Sequence, residues 1–485
     1  MRFHLNTIVA LILSVLVGVQ LFLGCSISIL ILCTLTIGLS LGMAARWRYD
    51  LYAILSLVVG VRYVIFPLVM KTWYGQALDE NLSYPFEAYL LTAAIVSLDV
   101  SVFWIVRVND RGTSYINLDV ESEDLFSVRN LAFAIGVLSY LIYILSKPTS
   151  ASVSSSGSLV ILAVLNRFLV LGLIIQTAKG ALSYGRRGFI TLGLLIGLLF
   201  QFIAATIINS RGTLAAAVAG IALMALYCRA VRLRHIIGGM VFLAFFGAVV
   251  SPVALYLRTQ RENVPTAQFA ALALTTVVQA LTSPSYLESI NDYNASARGA
   301  PKEEQTFGYD YYRLKSQSNV LNRLSFVALV DWAYVGFADR QPLGWRVLED
   351  GLERIVPSFL WSDKPAKSYG SGDYIAWSTG QYPVGRAAFL NYTLAMEGFA
   401  SFGWIGLLVY PLVFLLPLLF TLSKIASFRR ASPLSVFLLA ICQTAIIESM
   451  SDGVVAELTR SIPCMFFVLY FLKSQASHVR GRVEG

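Results

Sequence analysis

Charge, histidine and paired cysteine are all scarce in this chain, and each shortage removes a class of protein. Only 13% of the 485 residues are charged, about half the share usual in a soluble enzyme. The three histidines are His4, His235 and His478, too few and too scattered for a His-rich metal centre. The five cysteines, Cys25, Cys33, Cys228, Cys442 and Cys464, include no C-x-x-C pair. They read as apolar packing residues rather than a disulfide framework or zinc site. No phosphate-binding P-loop, G-x-S-x-G elbow or G-x-G-x-x-G turn occurs, so nucleotide, serine-hydrolase and dinucleotide chemistry have no motif to stand on. No soluble stretch interleaves basic residues with aromatics, which argues against nucleic acid as a partner.

What the chain has instead is apolar length. Hydrophobic residues make up 57% of it, and about twenty in a row cross a bilayer as a helix. Twelve such runs stand near 6–23, 26–45, 51–70, 86–106, 130–146, 158–177, 188–208, 212–228, 236–257, 399–421, 433–449 and 457–473. None alternates with period two, which excludes a membrane β-barrel. The first run lacks a small-residue cleavage site and leads directly into the second, so it reads as a retained span. The expected fold class is an all-α polytopic membrane protein of about twelve transmembrane helices.

Basic residues set an orientation. Arg46 and Arg48, then Arg107, Arg111 and Arg129, Lys179 to Arg187, Arg229 to Arg234, Lys424 to Arg430, and Lys473 to Arg482 fall in every second loop. Lysine and arginine mark cytoplasmic loops, so both termini are expected in the cytoplasm, and the net charge of +9 is mostly this signal. The organisation follows: nine spans over 1–257, one large outward loop over 258–398, and three spans with a cytoplasmic tail over 399–485.

Within the outward loop, 266–282 reads as an interfacial helix and 320–336 as an amphipathic one. "GWRVLEDGLERIVPSFLWSDKP" reads as a helix followed by a proline- and aromatic-rich turn, and "SYGSGDYIAWSTGQYPVG" as a glycine-rich loop.

Charged groups at the mouths of spans are functional candidates by default. "IINSRGT", 207–213, joins two spans by a tight outer hairpin. It aims helix amides and the Arg211 guanidinium at one spot, an arrangement that favours an anion. Arg258 ends the next outward span. Arg386 and Glu397 flank the entry to the tenth, eleven residues apart and so nearly on one helical face. Arg323, Lys364 and Asp331 lie in the loop. Glu448 and Asp452 share a face if their helix continues, and Glu457 and Arg460, three apart, can pair. With every histidine on the cytoplasmic side of this topology, a base at the outer face must be Asp, Glu or Tyr.

Four features together resemble bacterial O-antigen polymerases of the Wzy type. They are the "NSRGT" hairpin at 209–213, the "VPSFLWSDKP" turn at 356–365, the "MEGFASFGWIG" entry at 396–406, and a large outward loop before the last few spans. The resemblance implies a GT-C-like fold and a glycosyltransferase of the bacterial inner membrane with its large loop in the periplasm. Its donor and acceptor would be oligosaccharide repeat units carried on undecaprenyl diphosphate, joined into O-antigen or a related surface polysaccharide. It implies no cofactor, metal or nucleotide, and a chain-length regulator as a further candidate partner. Arg340 and Gly351 fit the family's R-x10-G spacing, and Arg211 does not. In this reading Arg211, Arg258, Arg386, Arg323 and Lys364 hold the diphosphate, and Glu397 or Asp331 takes the acceptor's proton. Two rival readings are an O-antigen ligase or other lipid-linked-sugar transferase, and a flippase for lipid-linked oligosaccharides. The absence of an outer-loop histidine weighs against the ligase. Sparse mid-span polar residues, such as Asn166, Arg167, Gln201 and Gln443, weigh against the flippase.

Overall fold

Each of the twelve apolar runs is helical in the computed structural model. It describes residues 2–47, 50–116, 124–146, 157–184, 189–208, 211–260, 266–297, 311–312, 324–338, 340–356, 361, 370–380, 384 and 391–483. No strand occurs among the described residues. Among the described residues, eight helices are long and apolar enough to cross a membrane: Ile27–Arg46, Leu51–Trp73, Pro85–Asn109, Ser127–Ser146, Ile161–Tyr184, Leu233–Leu257, Leu394–Ile425 and Ser451–Gln475. The first run lies in helix Arg2–Phe22, of 21 residues, and the other three give the shorter apolar helices Leu192–Ile208, Gly212–Tyr227 and Pro433–Ile447. At 1.5 Å per residue, a helix of 15 to 17 residues covers about 22–26 Å, short of the roughly 30 Å hydrocarbon core. Among the described residues, eight helices are thus long and apolar enough to span, where the sequence suggested about twelve.

Proline placement bends four of these helices in the same way. Wide π turns occupy Val61–Ile65, Phe246–Val250, Pro411–Leu415 and Glu457–Ser461. In each case a proline follows two residues after the turn: Pro67, Pro252, Pro417 and Pro463. A proline ring collides with the carbonyl four residues before it and offers no N–H, and the centre of each turn is that fourth residue. Widening the turn relieves the collision but leaves a carbonyl to be satisfied elsewhere. In the first turn the Arg62 carbonyl faces Pro67, and the amide of Phe326 donates to it at 3.2 Å.

Hydrogen bonds define the two ends of the bundle. At one, the loops around residues 50, 110 and 428 interlock. Buried Asp110 accepts from the Tyr52 hydroxyl, the Ser427 hydroxyl and the Phe428 amide, Arg107 bonds Asp50 at 2.6 Å, and Lys473 reaches the Tyr115 carbonyl. These loops carry the basic clusters. At the other end, residues 311–312, 324–338 and 340–344 pack at the helix ends. Gln76 and Asn81 donate to the carbonyls of Tyr312 and Tyr311. Lys71 is fully buried, with its ammonium 2.8 Å from the Glu80 carbonyl and 4.1 Å from the centre of the Tyr311 ring.

The outward segment departs from its sequence reading in two places. Helix Val327–Phe337 is buried at nine of its eleven positions, so it is a core helix and not an amphipathic one. It packs against Pro85–Asn109 and the start of Leu394–Ile425. Residues Ser371–Ser378 form a helix where a glycine-rich loop was expected. The Asp373 carboxylate accepts from the Gly370 amide at 2.7 Å and starts it. Helix Thr266–Thr282 is present, as is Arg346–Ile355. The former packs with Pro284–Ala297 on Ser251–Gln260 through Phe269, Ala273, Ile290, Val253 and Leu257.

Candidate functional site

The "MEGFASFGWIG" stretch folds into a helix, a break and a second helix. Phe402 and Gly403 leave helical geometry, Gly403 at φ 61° and ψ −145°, a conformation open only to glycine. The chain turns back so sharply that Gly398 and Gly406 touch. A Cβ on Gly398 would stand 2.2 Å from the Gly406 carbonyl oxygen. Carbonyls stranded at the break, those of Ala400 and Ser401, accept the amides of Leu343 and Gly344 at 3.0 and 2.9 Å. The half-helix Leu394–Ser401 is thereby buried along its whole length.

This half-helix carries Glu397, which is wholly inaccessible. Its oxygens accept the Ser451 amide at 2.5 Å and the Ser451 hydroxyl at 2.6 Å, fixing the start of helix Ser451–Gln475 to the tenth apolar run. A carboxylate has about four lone-pair sites, so two remain. Ser371 and Tyr410 stand beside them. The hydroxyls of Tyr63, Ser371, Thr393, Ser401 and Tyr410 are buried with no hydrogen-bond partner among the described residues. Tyr63 lies next to Thr393, and Tyr410 next to Ser401, in each case off bonding geometry. A buried hydroxyl left unmatched costs about 1–3 kcal/mol, so those of Ser371 and Tyr410 beside Glu397, with Ser401 next to Tyr410, mark a place suited to a hydrogen-bonding guest.

Two ion pairs tie helices of the bundle together, and each has one member in a π turn. Arg62, in the first turn, pairs with Glu448, and its guanidinium carbon stands 4.0 Å from the centre of the Phe326 ring. Glu457, in the last turn, receives both terminal nitrogens of Arg167, at 2.8 and 2.6 Å. Arg62 is absent from the sequence expectations, although one arginine inside an apolar run is itself a signal. Asp99 was missed for the same reason. It lies within helix Pro85–Asn109, and its charge reaches Tyr63.

Several sequence expectations change here. Glu457 turns both its oxygens to Arg167, where the sequence suggested Arg460, three residues on. Glu448 ends one helix and Asp452 lies in the next, so the two do not share a continuous face. Helix begins only at Leu394, and 391–393 are not helical, so no single helix carries both Arg386 and Glu397. Asp331 accepts the amides of Ser83 and Tyr84 at 2.9 and 2.8 Å, holding the entry to helix Pro85–Asn109. Burial pushes its carboxyl above the usual carboxylate range, and those two amides pull it partly back. Arg211 and Arg258 lie on helices Arg211–Tyr227 and Ser251–Gln260, with side chains outside the described set. Arg386, Arg323 and Lys364 fall outside the described residues altogether. Arg340 is exposed and donates to the Ser378 carbonyl, while Gly351 lies in helix Arg346–Ile355.

Compared with protein-family models, curated proteins and solved structures, the chain has no significant match in any of the three. Fold and site together define a class: a multi-pass membrane protein, all-helical among the described residues, whose interior holds a carboxylate with Ser371, Ser451 and Tyr410 beside it, and two arginine–glutamate pairs between helices.

Proposed function

We propose that this protein is a membrane glycosyltransferase that polymerises undecaprenyl-diphosphate-linked oligosaccharide units into a bacterial surface polysaccharide. The reaction takes place at the outer face of the inner membrane, with the 258–398 segment in the periplasm and both termini in the cytoplasm. The observation that carries this reading is the set of unmatched buried hydroxyls beside Glu397, those of Ser371, Tyr410 and Ser401. A sugar chain offers donors and acceptors in dense array, and such a shell suits it better than an apolar or singly charged ligand. Two further features support it. The stretch that resembles the family's late-span entry is the one that builds the site, and the sequence sets Arg211 and Arg258 at the outward ends of their apolar runs, where a diphosphate needs charge.

The chemistry is a substitution at the anomeric carbon of the donor. A hydroxyl oxygen of the acceptor unit forms the new glycosidic bond there, and the bond from that carbon to the diphosphate oxygen breaks. Undecaprenyl diphosphate leaves with the bonding electrons. The acceptor's proton passes to Glu397, whose geometry is fixed by Ser451; such general-base help is worth about 10²–10⁴-fold. Arg211 and Arg258, with Arg386, Arg323 and Lys364 as further candidates, balance the charge growing on the leaving diphosphate. Asp331, with both oxygens on backbone amides, holds the fold around the site.

The test is a glycan-length ladder from a deletion strain complemented with variants. Deletion leaves one repeat unit per acceptor. The wild-type chain restores long glycan, and Glu397→Gln, accumulating at the normal level, does not. Long glycan from Glu397→Gln would remove the base assignment. Unchanged glycan in the deletion strain would remove the polymerase reading.

A further inference from the structure

A groove of about 370 Å³ opens on the flank of the bundle between helices Ser127–Ser146, Ile161–Tyr184 and Leu192–Ile208, away from Glu397. Its walls are apolar: Phe133, Val137, Leu169, Ile196 and Phe200. Gly193 and Gly197, one turn apart, keep it open on one side. A Cβ at Gly197 would already stand 2.9 Å from both Leu173 and Phe133. From Arg129 to Val137 the groove follows Ser127–Ser146 for eight residues, a depth of about 12 Å.

Its mouth is polar and cationic. The Arg129 guanidinium donates to the Gln176 amide oxygen at 2.7 Å and to the Asn130 amide oxygen at 2.7 and 3.1 Å. Gln176 in turn donates to Thr191 at 2.7 Å. These bonds brace the mouth from helix Asp124–Ser146 through Gln176 to the start of helix Leu192–Ile208. Lys179 lies close enough to feel the Arg129 charge. Arg129 stands in the second turn of helix Asp124–Ser146, near the end where a span meets the head-group layer. Exposed Leu192, Leu195, Ile196 and Leu199 flank the opening, so the groove faces the surrounding lipid.

We infer that this groove is a binding site for an anionic glycerophospholipid, with one acyl chain along Phe133, Val137, Ile196 and Phe200 and the phosphate at Arg129 and Lys179. Charge decides the occupant. A basic pocket between helices at head-group depth selects anionic lipid, whereas a zwitterionic lipid gains only the acyl-chain contacts. The site is independent of the glycan reading, since no residue in it touches the Glu397 shell.

The test uses the full-length protein purified in detergent and read by native mass spectrometry. It is incubated with phosphatidylglycerol or with phosphatidylcholine of the same acyl chains. The wild type retains phosphatidylglycerol about five-fold more strongly, and Arg129→Ala removes about that factor while leaving phosphatidylcholine unchanged. Ile196→Trp, a change at an exposed position that narrows the groove, lowers retention of both lipids. Arg430→Ala, on the same end of the bundle but outside the groove, changes neither. Equal retention of the two lipids by the wild type would overturn the inference. So would an Arg129→Ala protein that behaves as wild type, an Ile196→Trp protein that retains both lipids fully, or an Arg430→Ala loss as large as that at Arg129.

Discussion

Arg167 and Glu457 lie 290 residues apart in the chain and meet through two parallel hydrogen bonds, of 2.8 and 2.6 Å. This two-pronged geometry is the strongest form of the arginine–carboxylate contact. It locks the break in the sixth apolar run, between helices Gly157–Leu165 and Phe168–Tyr184, to the π turn at Glu457–Ser461. Both side chains are mostly shielded, at 23% and 15% exposure. Removing either partner strands the other's charge in a poor solvent. Arg167→Ala or Glu457→Ala alone should each cost about 3 kcal/mol, and the double change to methionine should cost less than the sum. Thermal unfolding of the purified proteins in detergent measures this; fully additive losses would mean that the pair is not coupled.

Proline 67 should matter to function through a turn it does not itself occupy. Replacing it with alanine restores the missing N–H and removes the ring collision, so the Val61–Ile65 turn should tighten to an ordinary α turn. That rotates Arg62 away from Glu448 and Tyr63 away from Thr393. Pro67→Ala is expected to accumulate normally and to yield at least about ten-fold less long-chain glycan on the ladder, a loss of roughly 1.4 kcal/mol in transition-state stabilisation. Unchanged glycan would show that the bulge serves folding alone.

The break at Phe402–Gly403 makes a separate prediction about stability. Gly403→Ala places a side chain in a conformation that costs about 1–3 kcal/mol. Gly398→Ala drives a methyl into the Gly406 carbonyl. Both should lower the unfolding temperature. By contrast, Gly38→Ala and Gly42→Ala add methyl groups with no atom within 4 Å in the middle and last turns of helix Ile27–Arg46. They should be neutral or stabilising by up to about 1 kcal/mol.

Asp331 is expected to behave as a brace. Asp331→Ala leaves the Ser83 and Tyr84 amides without acceptors, at about 1–3 kcal/mol, and Asp331→Asn, which keeps one acceptor, should lose less. The pH dependence has a definite sign. Burial raises this carboxyl in the folded protein, so the folded state binds its proton more tightly than the unfolded chain does. The stability this group contributes is therefore full below the ordinary aspartate range and lost as pH rises through the raised folded value. Relative to Asp331→Asn, the wild type should lose stability as pH climbs across that window. A constant difference between the two proteins would contradict it.

Arg211→Ala tests the diphosphate assignment apart from the base. In the polymer-deficient strain it should give mostly single repeat units, and normal long-chain glycan would remove Arg211 from the site.

The sequence by itself determined the helices and much of their shape. Apolar runs of about twenty residues can satisfy their backbone in a bilayer only as helices, and every one of the twelve runs is helical here. The π turns were legible too, because Pro67, Pro252, Pro417 and Pro463 each act on the carbonyl four residues earlier, a purely local collision. Arg62 was legible as a lone charge in an apolar run, though not its meaning. Its partner Glu448 is 386 residues away, and only the packing of helix Pro433–Ile447 beside Leu51–Trp73 decides that they meet. The same holds for Glu397 and Ser451, and for Arg167 preferring Glu457 across the bundle. Within a helix, neighbours follow from the rise and turn of the backbone. Across helices, they follow from which faces pack, and that depends on the whole set of side chains at once.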